Sequence, residues 1–309
     1  MAQLTPRHAI RCALLRPHTR RVFSSSTVAV DNPYTGETYA TAPEFDSAEL
    51  LDRARLAAQA QASWRAAPLT ERMAVCEGAI EWFKANAAAV AADISGMMGK
   101  PRHHALGEIG GVEERARHMM SLAPTVLSDE VLPEKAGFTR RIAKEPIGTV
   151  FVLAPWNYPL LTAANAVFPA VLAGNAVLIK HSPRTPLCAD HYAEAFAAAG
   201  APAGLVQAAN CSHEACAALL RSKAVHHVVF TGSVAGGHAI YAQTAQCTLP
   251  STNSTYLTFV LPLTSQPYNQ AAHLELTLQS FDAETFWAGQ DNVRGRDAGA
   301  RGEGRGVYR

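Results

Sequence analysis

The sequence predicts an α/β protein built on a doubly wound, Rossmann-like parallel sheet, and three observations predict it. Four short apolar runs, 149–153, 176–180, 205–208 and 226–231, alternate with four helical stretches, 158–172, 186–199, 212–221 and 234–245. Glycines punctuate the alternation: Gly174 ends the first of these helices and Gly200 the second. Short, mainly apolar strands alternating with helices imply a parallel sheet covered on both faces. In such sheets ligands bind beyond the carboxyl ends of the strands, so the chemistry is sought there.

Ahead of that unit the sequence predicts helices and one hairpin. Asn32-Pro33-Tyr34-Thr35-Gly36 is a turn cluster between two short extended pieces. Residues 47–65 read as an amphipathic helix, with Leu50, Leu51, Ala54, Ala57 and Ala58 on one stripe and Asp46 or Ser47 as the N-cap. Residues 70–98 read as one longer helix, with Met73, Cys76, Ile80 and Phe83 at three- and four-residue spacing and Gly99 and Pro101 closing it. A third helix covers 105–122. From 138 to 154 the period changes, and residues 139–143 and 148–153 read as two extended segments joined through Glu145-Pro146-Ile147-Gly148, a projecting hairpin.

Composition bounds the class. A chain of 309 residues with 48% hydrophobic residues can bury a sizeable core. A formal net charge of +1 gives no reason to expect nucleic acid as a partner. No apolar run approaches the roughly 20 residues that span a bilayer. The six cysteines are scattered over a large Ala-rich chain, unlike a small disulfide-stapled domain. Cys211 and Cys216 enclose His213, but the spacing matches no common zinc pattern and Cys216 shares a helical stripe with Leu219 and Leu220, so no metal is assigned and a buried core thiol is expected.

Both ends stand apart from the predicted unit, which is placed at 30–246. Arg7, Arg11, Arg16, Arg20 and Arg21 precede the first carboxylate, Asp31, and Ser24, Ser25 and Ser26 lie between. That composition predicts a transit peptide over 1–29, with Arg21-Val22-Phe23-Ser24 resembling a processing site and the mitochondrial matrix as destination. The alternative is an ordinary disordered N-terminus on a cytoplasmic protein. After Gln246 the chain turns rich in Thr, Ser and Pro, and residues 289–309 repeat Gly and Arg with little aliphatic content beyond Val293 and Val307. Residues 247–309 are expected to be an aberrant, disordered tail.

Three of the four strand ends carry distinctive residues. The first is Pro155-Trp156-Asn157-Tyr158-Pro159-Leu160, which places the Asn157 amide near a helix N-terminus, where developing negative charge is stabilised. The second is Lys180-His181-Ser182-Pro183-Arg184-Thr185-Pro186. The third is Phe230-Thr231-Gly232-Ser233, where Gly232 permits close backbone approach and Ser233 opens a helix whose N–H groups suit a pyrophosphate.

Together with Glu145-Pro146-Ile147-Gly148-Thr149-Val150 upstream, these segments resemble the N-terminal, cofactor-binding half of an aldehyde dehydrogenase, over about residues 30–245. Asn32-Pro33 with Gly36-Glu37, Gly99-Lys100-Pro101 and Pro202-Ala203-Gly204-Leu205-Val206-Gln207 are similar to further signatures of that family. The resemblance implies oxidation of an aldehyde to a carboxylic acid with NAD or NADP, through a cysteine thiohemiacetal, by a homo-oligomer. It implies that Asn157 donates to the oxyanion, that Trp156 lines the cofactor or substrate channel, that Lys180 meets the adenosine ribose, that Gly232 and Ser233 hold the pyrophosphate, and that Pro155, Ser182 and Arg184 also belong to the cofactor site. Many NAD-dependent members carry a Glu where this chain has Pro183; its loss, with Arg184 beside it, makes a 2′-phosphate acceptable, so NAD and NADP both stand. The family's LELGG base segment and GQxC nucleophile are not intact: His273-Leu274-Glu275-Leu276 is followed by Thr277-Leu278, and no cysteine follows Cys247. The polypeptide as written is therefore expected to be inactive alone, either a dinucleotide-binding fragment or the product of a defective gene model. The tail is read either as foreign sequence, such as translated intron, that briefly rejoins the family near Gly289-Gln290-Asp291, or as an unrelated extension.

Overall fold

The computed structural model describes residues 26–247 and 251–255. The fold opens with an antiparallel pair, β1 (Thr27–Asp31) and β2 (Thr38–Pro43), joined by the Asn32–Gly36 turn, in which Asn32 N donates to Glu37 O at 2.8 Å. Folded structure therefore begins inside the segment assigned to 1–29. Val30 is buried and Val28 packs against the same core, so this strand has an apolar face to cover. The Arg21–Ser24 motif lies outside the described residues.

Helix α1 (Ser47–Trp64) starts at a capping box: Asp46 Oδ1 accepts from Ala48 N and Glu49 N at 2.8 and 2.9 Å, and Asp46 N donates to Glu49 Oε2 at 3.0 Å. The predicted helix over 70–98 is two, α2 (Leu69–Ala85) and α3 (Ala87–Met98). Asn86 separates them; its Nδ2 bonds back to Trp82 O at 2.8 Å and its ψ is 11°, a local competitor to the helical ladder. Gly99 ends α3 in the left-handed region at φ 77°. Helix α4 (Arg102–Val126) is longer than expected at both ends.

The hairpin predicted over 138–154 does not form as such. Strand β4 (Arg141–Ile142) pairs antiparallel with β3 (Glu130–Val131), while β5 (Thr149–Ala154) is a central sheet strand buried at all six positions. A strand apolar on both faces has no solvent side and cannot serve as one arm of a projecting ribbon.

From β5 the alternation runs as predicted: α5 (Pro159–Leu172), β6 (Ala176–His181), α6 (Leu187–Ala198), β7 (Val206–Ala208), α7 (His213–Arg221), β8 (His227–Gly232) and α8 (Val234–Cys247). The parallel sheet gains a fifth strand, β9 (Ser251–Thr255), giving the order β7-β6-β5-β8-β9. This strand falls inside the tail set apart at 247, so the sheet extends past the predicted boundary; a Ser- and Thr-rich pentapeptide without apolar alternation carries no strand signal, yet satisfies the open edge of β8. The rest of that tail lies outside the described residues.

Helices α1, α7 and α8 lie on one side of the sheet, and α5 and α6 on the other, backed by α2, α3 and α4. Phe83, Phe168, Tyr192 and Phe196 meet in the second layer, with ring centroids 5.1 to 6.5 Å apart. The Trp64 indole donates to Val171 O at 2.9 Å, fixing α1 against the end of α5. Among the described residues no helix is long and apolar enough to cross a membrane.

Candidate functional site

Chain order reverses at the carboxyl edge of the sheet. From β5 the chain moves outward through β6 to β7, then returns to the other side of β5 as β8. The turns after β5 and β8 flank this switch point, where open α/β sheets form a ligand crevice. Leu153 is in register with Lys180 on one side and Phe230 on the other. With about 4.8 Å per strand step, those flanking ends stand about 10 Å apart. The structure thus brings Pro155, Trp156, Asn157, Lys180, Ser182, Arg184, Gly232 and Ser233 to one edge.

At the β5 turn Pro155 is buried, while Trp156 and Tyr158 are 51% and 44% exposed, unusual for rings of their size. Asn157 Oδ1 is buried without a hydrogen-bond partner. The turn is held by two residues that sequence reasoning did not single out as functional. Lys100 Nζ donates to the Asn157 carbonyl at 2.6 Å and pairs with Glu108, and it lies 4.0 Å from the Tyr158 ring centre. Glu108 Oε2 in turn accepts from Leu160 N at 3.1 Å and Leu161 N at 3.4 Å. Burial pushes the Glu108 carboxyl up, against Lys100 and the two amides, which pull it down.

This revises one expectation. The first N–H groups of α5 are already taken by a carboxylate, so any charge stabilised beside Asn157 relies on the Asn157 amide rather than on that helix end. Glu108 had a signal: it sits on the buried stripe Ala105, Ile109, Val112 of α4, where an acid needs a partner.

Lys180, at the end of β6, is 7% exposed, and its Nζ lies 3.4 Å from the His181 carbonyl. Its charge reaches the buried thiols of Cys211 and Cys216 and pulls both down. These thiols touch: Cys211 donates to Cys216, which lowers the acceptor and raises the donor, an arrangement of core thiols. Ser182 N donates to Ala154 O at 3.0 Å, tying the β6 turn to the end of β5, and Ser182 Oγ accepts from Arg184 N at 3.3 Å. Arg184 Nη1 is held by Asp31 Oδ1 at 2.5 Å, which lowers the Asp31 carboxyl.

At the β8 turn Ser233 Oγ accepts from Gly236 N at 3.1 Å, and Ser233 O from Gly237 N at 2.9 Å, so Ser233 caps α8. Gly232 packs on the Phe230 ring so closely that a Cβ there would stand 2.6 Å from Cζ. Beside the β5 turn a cleft of about 520 Å³ opens between the α3–α4 turn and α5, lined by His103, His104, Lys100, Glu108, Tyr158 and Leu161 among others.

Residues 22–253 match the family model described as "Aldehyde dehydrogenase family". The chain is 34% identical over 218 residues to N-succinylglutamate 5-semialdehyde dehydrogenase 1 of Caulobacter vibrioides, covering 71% of this chain and 46% of that protein. It is 30% identical over 224 residues to the mitochondrial succinate-semialdehyde dehydrogenase of Arabidopsis thaliana, covering 72% and 42%. Among solved structures, a putative aldehyde dehydrogenase from Burkholderia cenocepacia superposes with a TM-score of 0.71 at 30% identity, covering 74% of this chain and 49% of that one. The chain spans about half the length of the relatives it matches.

Proposed function

The chain belongs to the aldehyde dehydrogenase family, and from that premise we propose that it binds NAD or NADP across the β5–β8 switch point and carries, in Asn157, the oxyanion donor of a complete enzyme. The observation that carries this reading is the convergence at one sheet edge of a nearly buried cation, Lys180, a capped helix start at Ser233 and an exposed indole, Trp156. A dinucleotide needs those three chemistries in that order: a donor for ribose hydroxyls, backbone N–H groups for the pyrophosphate, and an apolar plate beside the ring. When bound, NAD or NADP supplies the hydride acceptor for oxidation of the aldehyde to the acid.

The residues of this chain bind and orient. Lys180 and Ser182 would hold the ribose end, Gly232 and Ser233 the pyrophosphate, Pro155 and Trp156 would close the channel, and in a complete enzyme Asn157 would donate to the oxygen that gains charge when the thiolate makes the carbonyl carbon tetrahedral. The 309 residues carry no intact counterpart of the family's base and nucleophile segments, and we read this polypeptide as a dinucleotide binder that does not turn over aldehyde by itself. The basic, acid-free leader, together with a mitochondrial relative among those it matches, favours delivery to mitochondria.

The full chain is titrated with NAD and with NADP while its Trp emission is followed, with Trp156→Phe as the control that assigns the signal. Saturable quenching that Trp156→Phe removes and Lys180→Ala weakens at least tenfold is the expected result. Saturation that is indifferent to Lys180→Ala, or aldehyde-dependent reduction of the bound cofactor, would overturn the corresponding half of the reading.

A further inference from the structure

We propose that Lys100 and Glu108 are positioning residues for Asn157: they hold the backbone of the β5–α5 turn and thereby fix the direction in which the Asn157 amide faces. The inference rests on the reading of Asn157 as the oxyanion donor.

Three observations carry it. First, α5 has no cap of its own. Tyr158 offers no side-chain hydrogen bond and Pro159 has no N–H, so Leu160 and Leu161 need an acceptor from elsewhere in the fold. Glu108 of α4 supplies it with one carboxylate oxygen. Second, the other Glu108 oxygen pairs with Lys100, which passes the connection on to the Asn157 carbonyl at 2.6 Å. Residues 157, 160 and 161 are thus tied to one ion pair whose side chains are 10% and 2% exposed. A pair so desolvated holds its geometry tightly, because each partner is costly to leave alone. Third, Asn157 Oδ1 is buried and makes no hydrogen bond. With no bond on its own carbonyl oxygen, the amide takes its direction from the backbone and the packing around it, and that backbone is what Lys100 and Glu108 hold.

The titratable groups around Glu108 are Lys100 from the α3–α4 turn, His103 and His104 of its own helix, Tyr158 from the β5 turn, and Cys188 and Tyr192 of α6, both of which feel its charge. An ion pair that only braces the fold would lower the melting temperature when broken. It would not couple the Asn157 side-chain amide to the protonation of Glu108.

The test follows that coupling by NMR in the full chain, labelled with 15N-asparagine and 15N-leucine. Loss of one NH2 pair in Asn157→Asp identifies the Asn157 amide. On acidification the Leu160 and Leu161 amides and the Asn157 NH2 pair should move with one common midpoint, above the ordinary carboxylate value. Glu108→Gln should abolish that titration and displace the Asn157 resonances at every pH. Lys100→Met should displace them too, and Lys100→Arg should restore them. An Asn157 pair that stays still while Leu160 and Leu161 titrate overturns the proposal, and this outcome is read in the unaltered chain even where a variant fails to fold. Dinucleotide binding is measured separately: an Asn157 amide that follows Glu108 in a chain that binds no dinucleotide would sink the cofactor reading and leave the positioning intact.

Discussion

Arg184 and Asp31 meet at 2.5 Å with side chains 36% and 54% exposed, across the joint between the β6 turn and the end of β1. Cofactor choice at this site turns on that contact. Pro183 leaves no carboxylate to repel a 2′-phosphate, but the guanidinium that would welcome one is engaged by Asp31. An exposed ion pair is only weakly held, and a phosphate offers Arg a bidentate partner with more charge. Asp31→Asn should therefore free Arg184 and tighten NADP several-fold while leaving NAD nearly unchanged. Fluorescence titration of both cofactors against the variant checks this, and an equal change in the two affinities would show that Arg184 does not reach the phosphate. Neither residue of this pair was readable as such. Arg184 was singled out for its place after Lys180, but a partner 153 positions away leaves no trace in local spacing.

At the scale of elements, what the sequence showed and what it hid divide by physical cause. Strands β5 and β6 were legible because burial on both faces demands apolar runs such as Val150-Phe151-Val152-Leu153, and β8 because Val228-Val229-Phe230 leads into a Gly-Ser turn. Helix α1 was legible because its stripe and its Asp46 cap agree. The break between α2 and α3 was not, since Asn86 interrupts the ladder while the apolar spacing continues across it. The two-residue strands β3 and β4 carry too few positions for any periodicity, and β4 was joined to the wrong partner. Strand β9 is polar, and its pairing is dictated by the open edge of β8 rather than by its own side chains. The site divides the same way. The turns after β5, β6 and β8 announce themselves by Pro, Gly and Ser at strand ends. Lys100 and Glu108 act across helices, and only the apolar neighbours of Glu108 hint at its burial.

For the whole molecule, two ionisable groups, one buried and one half-buried, set opposing pH responses, and one substitution separates them. His181 is enclosed against Pro159 O, and burial holds its imidazole down to about 4. The unfolded chain takes up that proton near pH 6.5, so stability from neutral His181 is complete above 6.5 and is lost as pH falls through 6.5 towards 4. Asp190, half-buried in the first turn of α6, behaves in the opposite sense, because desolvation raises its carboxyl to about 6 from 3.8. Below 3.8 both folded and unfolded forms are protonated and no cost arises; as pH rises from 3.8 to 6 the unfolded form ionises first and the folded state loses stability, fully by the point where its own half-buried acid ionises. Each shift corresponds to about 3 kcal/mol by the conversion of one pKa unit to about 1.4 kcal/mol, and between pH 4 and 6 the two slopes nearly cancel. Asp190→Asn removes only the second. Relative to the unaltered chain it should gain nothing near pH 4 and gain progressively up to pH 6, by about 2 to 3 kcal/mol if the new amide finds a hydrogen bond. The variant would then show the acid lability of His181 directly. Urea unfolding of both proteins at pH 4, 5, 6 and 7 measures the difference. A gap that stays constant across that range would mean that Asp190 does not titrate in the folded state as its burial requires.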